Sequence, residues 1–219
     1  MSVYEDRVLP HLIRLACSSK RASKQREKIV HRAYGDVLEI GFGGGLNLPY
    51  YDRGNVRRVF GLEPSAGMRR SAAQQIAASA IDVELIDLPG EEIPLDNNSV
   101  DSILVTYTLC TIGDVAGALD GMRRVLKPGG HFVFTDPCQA DDVPAGVLQP
   151  FYDRLQLTSL GSHRFYRDAA KALGFEIVRQ DEMTDQLRTH YDRVRQELVA
   201  NYDMLRDNGA SAEYLETSY

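Results

Sequence analysis

The segment Val37-Leu38-Glu39-Ile40-Gly41-Phe42-Gly43-Gly44-Gly45 runs an apolar strand directly into a loop dense in glycine. Glycine lets a backbone turn sharply and lets a ligand approach the main chain, because no Cβ intervenes. In parallel α/β sheets such a loop lies at the carboxyl edge, where ligands bind. A dinucleotide fingerprint would read G-x-G-x-x-G, but Leu46 stands at its last position, and the pattern is instead Glu39-x-Gly41-x-Gly43-x-Gly45. A buried-edge carboxylate just ahead of the loop suits a cationic ligand better than a pyrophosphate. A second acid, Glu63, ends the next apolar run roughly 20 residues past the loop, where a carboxylate can accept both hydroxyls of a ribose. The expected ligand therefore contains adenosine, carries a positive charge and lacks a diphosphate. The plainer reading is a structural glycine turn with a surface glutamate. The loop, its preceding acid and the spaced Glu63 favour the ligand in combination, as none would alone.

These residues need a sheet to hold them. Apolar runs at 37–41, 58–62, 81–87, 101–106 and 131–135 read as strands, and helical stretches at 65–79 and 114–126 lie between them. Alternating strand and helix implies a parallel sheet covered on both faces. Lys127-Pro128-Gly129-Gly130 is expected to stop the second helix and turn the chain into the fifth strand. Beyond Asp136-Pro137 the sequence predicts a loop and helix over 139–160, a helix over 162–173 capped by Ser162 and stopped by Gly174, and a sixth strand at 175–179 (FEIVR). A long amphipathic helix is expected from Thr184 to Leu205, with Leu187, Tyr191, Val194, Leu198, Tyr202 and Leu205 on one face. Two helices open the chain. The first has a capping-box pattern at Ser2 and Glu5 followed by Val8, Leu12 and Leu15. The second spans the basic stretch 19–34, read as a solvated face. The expected organisation is one domain: N-terminal helices over 1–34, a ligand-binding core over 36–137 and a helical cap over 138–219.

Composition narrows the classes. Apolar residues make up 43% and charged residues 26% of 219, which excludes a disordered chain or a fibre. With 31 acidic against 25 basic residues the net charge is −6, which disfavours nucleic acid as the main partner. Three scattered cysteines, Cys17, Cys110 and Cys138, form neither a disulfide framework nor a zinc cluster, and point to a reducing, cytoplasmic setting with no metal. Glu5, Asp6, Pro10, His11 and Arg14 interrupt any secretory pattern, and no apolar stretch approaches the roughly 20 residues of a membrane span.

VLEIGFGGG, FGLEPS, EEIPLDNNSVDSILVTYTLCTI and RRVLKPGG, in this order over residues 36–137, resemble the motifs of class I S-adenosylmethionine-dependent methyltransferases. That cofactor is an adenosine-containing cation. VLPHLIRLAC, GLNLPYYD and TYTLCTI resemble the methyltransferase-like family that includes thiol S-methyltransferases. DPCQADDVPAGVLQPFYDRLQLTSLGSHRFYRDAAKALGF, with RTHYDRVRQEL after it, is similar to sarcosine/dimethylglycine N-methyltransferases. The resemblance implies a Rossmann-like, doubly wound α/β sheet. It also implies that Glu39, Gly41, Gly43 and Gly45 line the methionine part of the cofactor, with Asn47 close by. Glu63 would take the ribose hydroxyls, and Pro64 and Met68 would pack near the adenine. Gly90 and Glu91 would meet the adenine amino group, with Asp87 as the competing acid. Thr106 and Tyr107 would face the transferable methyl. Class I enzymes close the sheet with a seventh, antiparallel strand, and no apolar run after residue 205 supplies one here. The uncovered edge of the fifth strand would then invite pairing with a second copy.

The sulfonium already activates the methyl group, so positioning supplies much of the rate. An amine must still lose its proton and a thiol must become a thiolate. Tyr107, His190 and Tyr191 are the candidate catalytic residues. Asp136, His163 and Tyr166 are further candidates, and Arg164 or Arg167 could hold an acceptor carboxylate. A small-molecule methyltransferase is expected. The C-terminal half favours a small amine acceptor such as sarcosine or dimethylglycine, and the N-terminal half favours a small thiol. A non-catalytic cofactor-binding protein and a nucleotide-linked oxidoreductase are the other classes, and Leu46 argues against the last.

Overall fold

The computed structural model describes residues 20–203 apart from 156, 158, 159 and 201. The expected first helix (Ser2 to Leu15), Cys17 and everything past residue 203 lie outside the described residues. The sheet has five strands: β1 (Gly35–Ile40), β2 (Val56–Leu62), β3 (Asp82–Ile86), β4 (Val100–Thr106) and β5 (Leu126–Thr135). Their order is β3-β2-β1-β4-β5, and every pairing is parallel. The chain winds one way from β1 through β2 to β3 and the other way through β4 to β5. The carboxyl end of β1 is thus the switch point where a crevice opens.

Burial explains the strands. Val37, Leu38, Glu39 and Ile40 are all buried, the unbroken pattern of a central parallel strand covered on both faces. Successive side chains point to opposite faces. Leu38, Ile40, Ile103 and Val105 pack with Ala118, Leu119, Met122 and Val125 of α3 (Val115–Val125). Val37, Val59 and Leu104 pack on the other face with Val30, Ala33 and Ala72. Each buried leucine or isoleucine contributes roughly 1.5–3 kcal/mol of transfer free energy.

Helices begin where side-chain caps satisfy their first amides. Ser65 caps α2 (Ala66–Ala78) by accepting from the Met68 amide, and Asp114 caps α3 by accepting from that of Gly117. The Ser162 hydroxyl accepts from the Phe165 amide at 3.1 Å and starts α5 (His163–Ala172). The remaining helices are α1 (Lys20–Ile29), α4 (Gln149–Leu155) and α6 (Thr184–Ala200). Among the described residues no helix is long and apolar enough to cross a membrane.

Three expectations are corrected. Lys127-Pro128-Gly129-Gly130 does not turn the chain between elements. It lies inside β5, where the register against β4 shifts between Val100 and Ser102, so the extra residues form a bulge. The segment 175–179 is not a sixth strand: it has no ladder partner. Only Phe175 finds apolar company, its ring 5.7 Å from that of Phe132, while Val178 is 87% exposed. The basic helix α1 is not wholly a solvated face, because Arg26 is only 5% exposed.

Candidate functional site

A cavity of about 490 Å³ opens over the carboxyl ends of β1, β2 and β4. The glycine loop forms its floor. Gly41 leaves β1 with φ 71°, and a Cβ there would lie 2.2 Å from Thr108 Oγ1. No other residue fits that position. Gly43 has φ 57°, and a Cβ on it would meet only Met68 Cε at 3.4 Å and Gly41 O at 3.8 Å, so it would project into open cavity space.

Glu63 stands at the far side of this floor, 8% exposed at the end of β2. Its Oε2 accepts from the Gly43 amide and its Oε1 from the Ser65 amide, both at 2.9 Å. Burial raises its pKa, and the two amides with the Arg69 guanidinium pull it back. The carboxylate is therefore fixed in orientation by one amide of the glycine loop and one at the start of α2. Each oxygen keeps acceptor capacity for a hydroxyl.

Glu39 does not reach the cavity. It is 1% exposed, one layer behind the wall. Its Oε1 accepts from Asn47 Nδ2 at 2.8 Å and its Oε2 from the Tyr51 hydroxyl at 2.6 Å. Asn47 Nδ2 also donates to Thr106 Oγ1 at 3.1 Å. These bonds fix the Asn47 amide, which lines the cavity with a buried Oδ1 that has no partner. Glu39 thus acts as a positioning group for Asn47. Burial pushes its carboxyl up to about 7, against the Tyr51 and Asn47 bonds and the Arg26 charge. The folded chain therefore prefers Glu39 protonated. The stability this gives is complete below the ordinary value of 4.5 and is lost as pH rises through about 7. Glu39→Gln copies the neutral form. In thermal unfolding at pH 5, 6.5 and 8, its Tm is expected to gain on wild type as pH rises. A gap that stays constant across the three values would contradict the burial assignment.

Thr106 ends β4 and Tyr107 follows it, both lining the cavity. Tyr107 sits at φ 57°, a strained conformation for a bulky residue, held by its amide donating to Thr135 O at 2.8 Å. The Arg26 guanidinium lies 5.5 Å from the Tyr107 ring centroid. Arg26 is the single cation among the described residues of the lining.

Of the residues singled out from sequence, Gly41, Gly43, Asn47, Glu63, Pro64, Met68, Gly90, Glu91, Thr106 and Tyr107 line the cavity. Gly45 does not: a Cβ on it would meet Gln75, Leu48 and Phe42, so it serves packing. Asp87 is also absent from the lining, because both its oxygens face the Arg69 guanidinium. Glu91 Oε1 accepts from the Gly113 amide at 3.2 Å. Arg164 and Arg167 lie outside, facing Asp141 and Asp142. His163 Nδ1 meets the Gln180 side chain at 2.8 Å on the surface. His190 and Tyr191 fall on α6, and their side chains lie outside the described residues. Burial raises the Cys138 thiol to about 11 and pushes the Cys110 thiol up as well, so neither is a ready thiolate.

Arg26 and Tyr51 went unrecognised in the sequence. Arg26 had a signal, since Ile29 and Val30 follow it at helical spacing and mark its side of the helix as the inward one. Tyr51 had none: its contact with Glu39 depends on how the loop after Gly45 folds back.

Comparisons with known proteins give the chain a family and a fold. The family described as a methyltransferase domain matches residues 38–134. A sarcosine/dimethylglycine N-methyltransferase from Aphanothece halophytica is 40% identical over 82% of this chain and 65% of its own length. One from Halorhodospira halochloris is 34% identical over 92% of this chain and 74% of its own length. The chain thus spans about two thirds to three quarters of these two relatives. A crystal structure provisionally named a sarcosine dimethylglycine methyltransferase, from Galdieria sulphuraria, superposes with a TM-score of 0.72 at 25% identity. It covers 90% of this chain and 76% of that one.

Proposed function

This chain belongs to the class I S-adenosylmethionine-dependent methyltransferase family that includes the sarcosine/dimethylglycine N-methyltransferases, and from that premise we propose that it methylates the nitrogen of a small amine such as sarcosine or dimethylglycine. The observation that carries the cofactor half is the Glu63 carboxylate, locked by the Gly43 and Ser65 amides at the lip of the glycine loop. The acceptor half rests on the likeness to the N-methyltransferases over most of the chain.

The residues present suit the cofactor. Glu63 would accept from the ribose hydroxyls, and the bare Gly43 backbone would admit the ligand against the loop. The unpartnered Asn47 Oδ1, held by Glu39, would accept from the amino group of the methionine part. Pro64, Met68, Gly90 and Glu91 would enclose the base. When bound, S-adenosylmethionine supplies a sulfonium methyl ready for in-line displacement. Thr106 and Tyr107 would then border the transfer end, where holding the amine behind the methyl replaces a bimolecular encounter. Arg26, beside Tyr107, gives this end a positive charge suited to a carboxylate.

The test pairs acceptors. Sarcosine and dimethylglycine are compared with a small alkyl thiol, each followed by S-adenosylhomocysteine release from pH 7 to 9. Turnover with the amines and none with the thiol is expected. Turnover with the thiol alone would overturn the amine assignment.

A further inference from the structure

Asp136 follows Thr135 at the carboxyl end of β5, outside the cavity lining. Both of its carboxylate oxygens are buried without a hydrogen-bond partner, and so is the Tyr166 hydroxyl beside it. Native proteins rarely leave such groups unsatisfied, and a buried carboxylate without donors is costly. The Thr108 and Cys110 amides and the Cys110 thiol act on it without reaching hydrogen-bond geometry. The other groups coupled to it are the Cys138 thiol and the Tyr166 phenol, and none of these neighbours is a cation. A positively charged donor of N–H bonds would satisfy the carboxylate oxygens of this pair.

Its position says which donor. Thr135, the preceding residue, accepts from the amide of Tyr107, a residue of the cavity wall. The short turn Leu109–Thr111 carries Cys110 toward Asp136 and Thr111 onto the cavity wall, so one layer of chain separates the carboxylate from the transfer end. Glu63 and the glycine loop lie on the other side of β1. The Tyr166 ring is packed in the core, 5.1 Å from that of Phe134, so what it offers beside Asp136 is its hydroxyl.

We propose that Asp136 and Tyr166 hold the protonated nitrogen of the acceptor, and that Asp136 takes its proton before methyl transfer. This inference rests on the small-amine reading above. The ammonium N–H proton passes to the carboxylate. The freed lone pair forms the N–C bond as the S–C bond breaks, and sulfur leaves with that electron pair as a neutral thioether. Asp136 then returns its proton to water, and its restored charge faces the methylated ammonium. Burial raises the Asp136 carboxyl to about 7, a value at which it can both accept and release a proton in the neutral range. The turn Leu109–Thr111, anchored by the fully buried Leu109, stands between the cavity and Asp136, and contact with the acceptor requires its Cys110–Thr111 end to shift.

The experiment compares wild type, Asp136→Asn and Tyr166→Phe in two measurements. Calorimetry reads S-adenosylhomocysteine binding, and then binding of trimethylglycine, a quaternary product without a transferable proton, to that complex. Turnover of dimethylglycine is followed from pH 6 to 9. The expected result for Asp136→Asn is S-adenosylhomocysteine affinity within about threefold of wild type, trimethylglycine affinity at least tenfold weaker, and kcat/KM at least tenfold lower. The acidic limb of the wild-type pH profile should be lost. Tyr166→Phe, which removes one oxygen, should weaken trimethylglycine severalfold and provides the test should Asp136→Asn not fold. Variants with wild-type kcat/KM and pH profile would overturn the inference while leaving the small-amine reading intact. Loss of S-adenosylhomocysteine binding along with activity would assign Asp136 a structural role instead. A wild-type chain that binds S-adenosylhomocysteine but neither turns over dimethylglycine nor binds trimethylglycine would overturn the small-amine reading, and this inference with it.

Discussion

Gly43→Val is expected to abolish measurable binding of S-adenosylmethionine and S-adenosylhomocysteine, a loss of more than about a hundredfold. Two effects act together. At φ 57° a β-branched residue is a steric outlier, and holding it there costs on the order of 1–3 kcal/mol. A Cβ there meets no protein atom nearer than Met68 Cε at 3.4 Å, so the side chain it carries projects into the space the ligand needs. The fold should survive, because the cavity gives the methyls room and the Gly43 amide can still reach Glu63. Calorimetric titration reads the affinity, and a thermal melt shows that the chain is folded. Wild-type affinity in a folded variant would mean that the loop does not hold the cofactor.

Glu63→Ala is expected to weaken both ligands by about the same factor, since the ribose is common to them. Losing a charged hydrogen-bond partner costs about 1.5–3 kcal/mol, or roughly ten- to a hundredfold. The Gly43 and Ser65 amides also lose their acceptor, so the loop becomes less well ordered before the ligand arrives. A much greater loss for S-adenosylmethionine than for S-adenosylhomocysteine would place Glu63 near the sulfonium instead. Unchanged binding of both would remove it from the site.

The parts of this molecule that could be read from sequence are those fixed by local chemistry. The five strands were legible because parallel strands buried on both faces read as apolar runs, and the Glu39 to Gly45 loop because only glycine tolerates the contact that Gly41 makes with Thr108. The cap at Ser162 was legible because a short oxygen-bearing side chain must precede a helix, whereas the caps at Ser65 and Asp114 emerge only from the structure. FEIVR was misread since its composition suits a strand, but a strand exists only with a partner, and pairing is non-local. Lys127-Pro128-Gly129-Gly130 looked like a stop and proved to be a bulge because β4 lies alongside and continues the ladder. Within the site, Glu39 was expected along the ligand and the structure buries it one layer behind Asn47, and Gly45, expected beside it, faces Gln75, Leu48 and Phe42. Arg164 and Arg167 were plausible clamps until Asp141 and Asp142 were found to face them. Such distinctions depend on which residues fold back over the sheet edge, and spacing along the chain does not carry them.

The cavity over the carboxyl ends of β1, β2 and β4 is assigned to S-adenosylmethionine. Calorimetric titration of the wild-type chain with S-adenosylhomocysteine, run beside NAD, tests it most directly. One site for S-adenosylhomocysteine with a Kd on the order of micromolar is expected, as is usual for metabolic ligands, and no heat of binding for NAD. Binding of NAD, or of neither ligand by the folded chain, would contradict it.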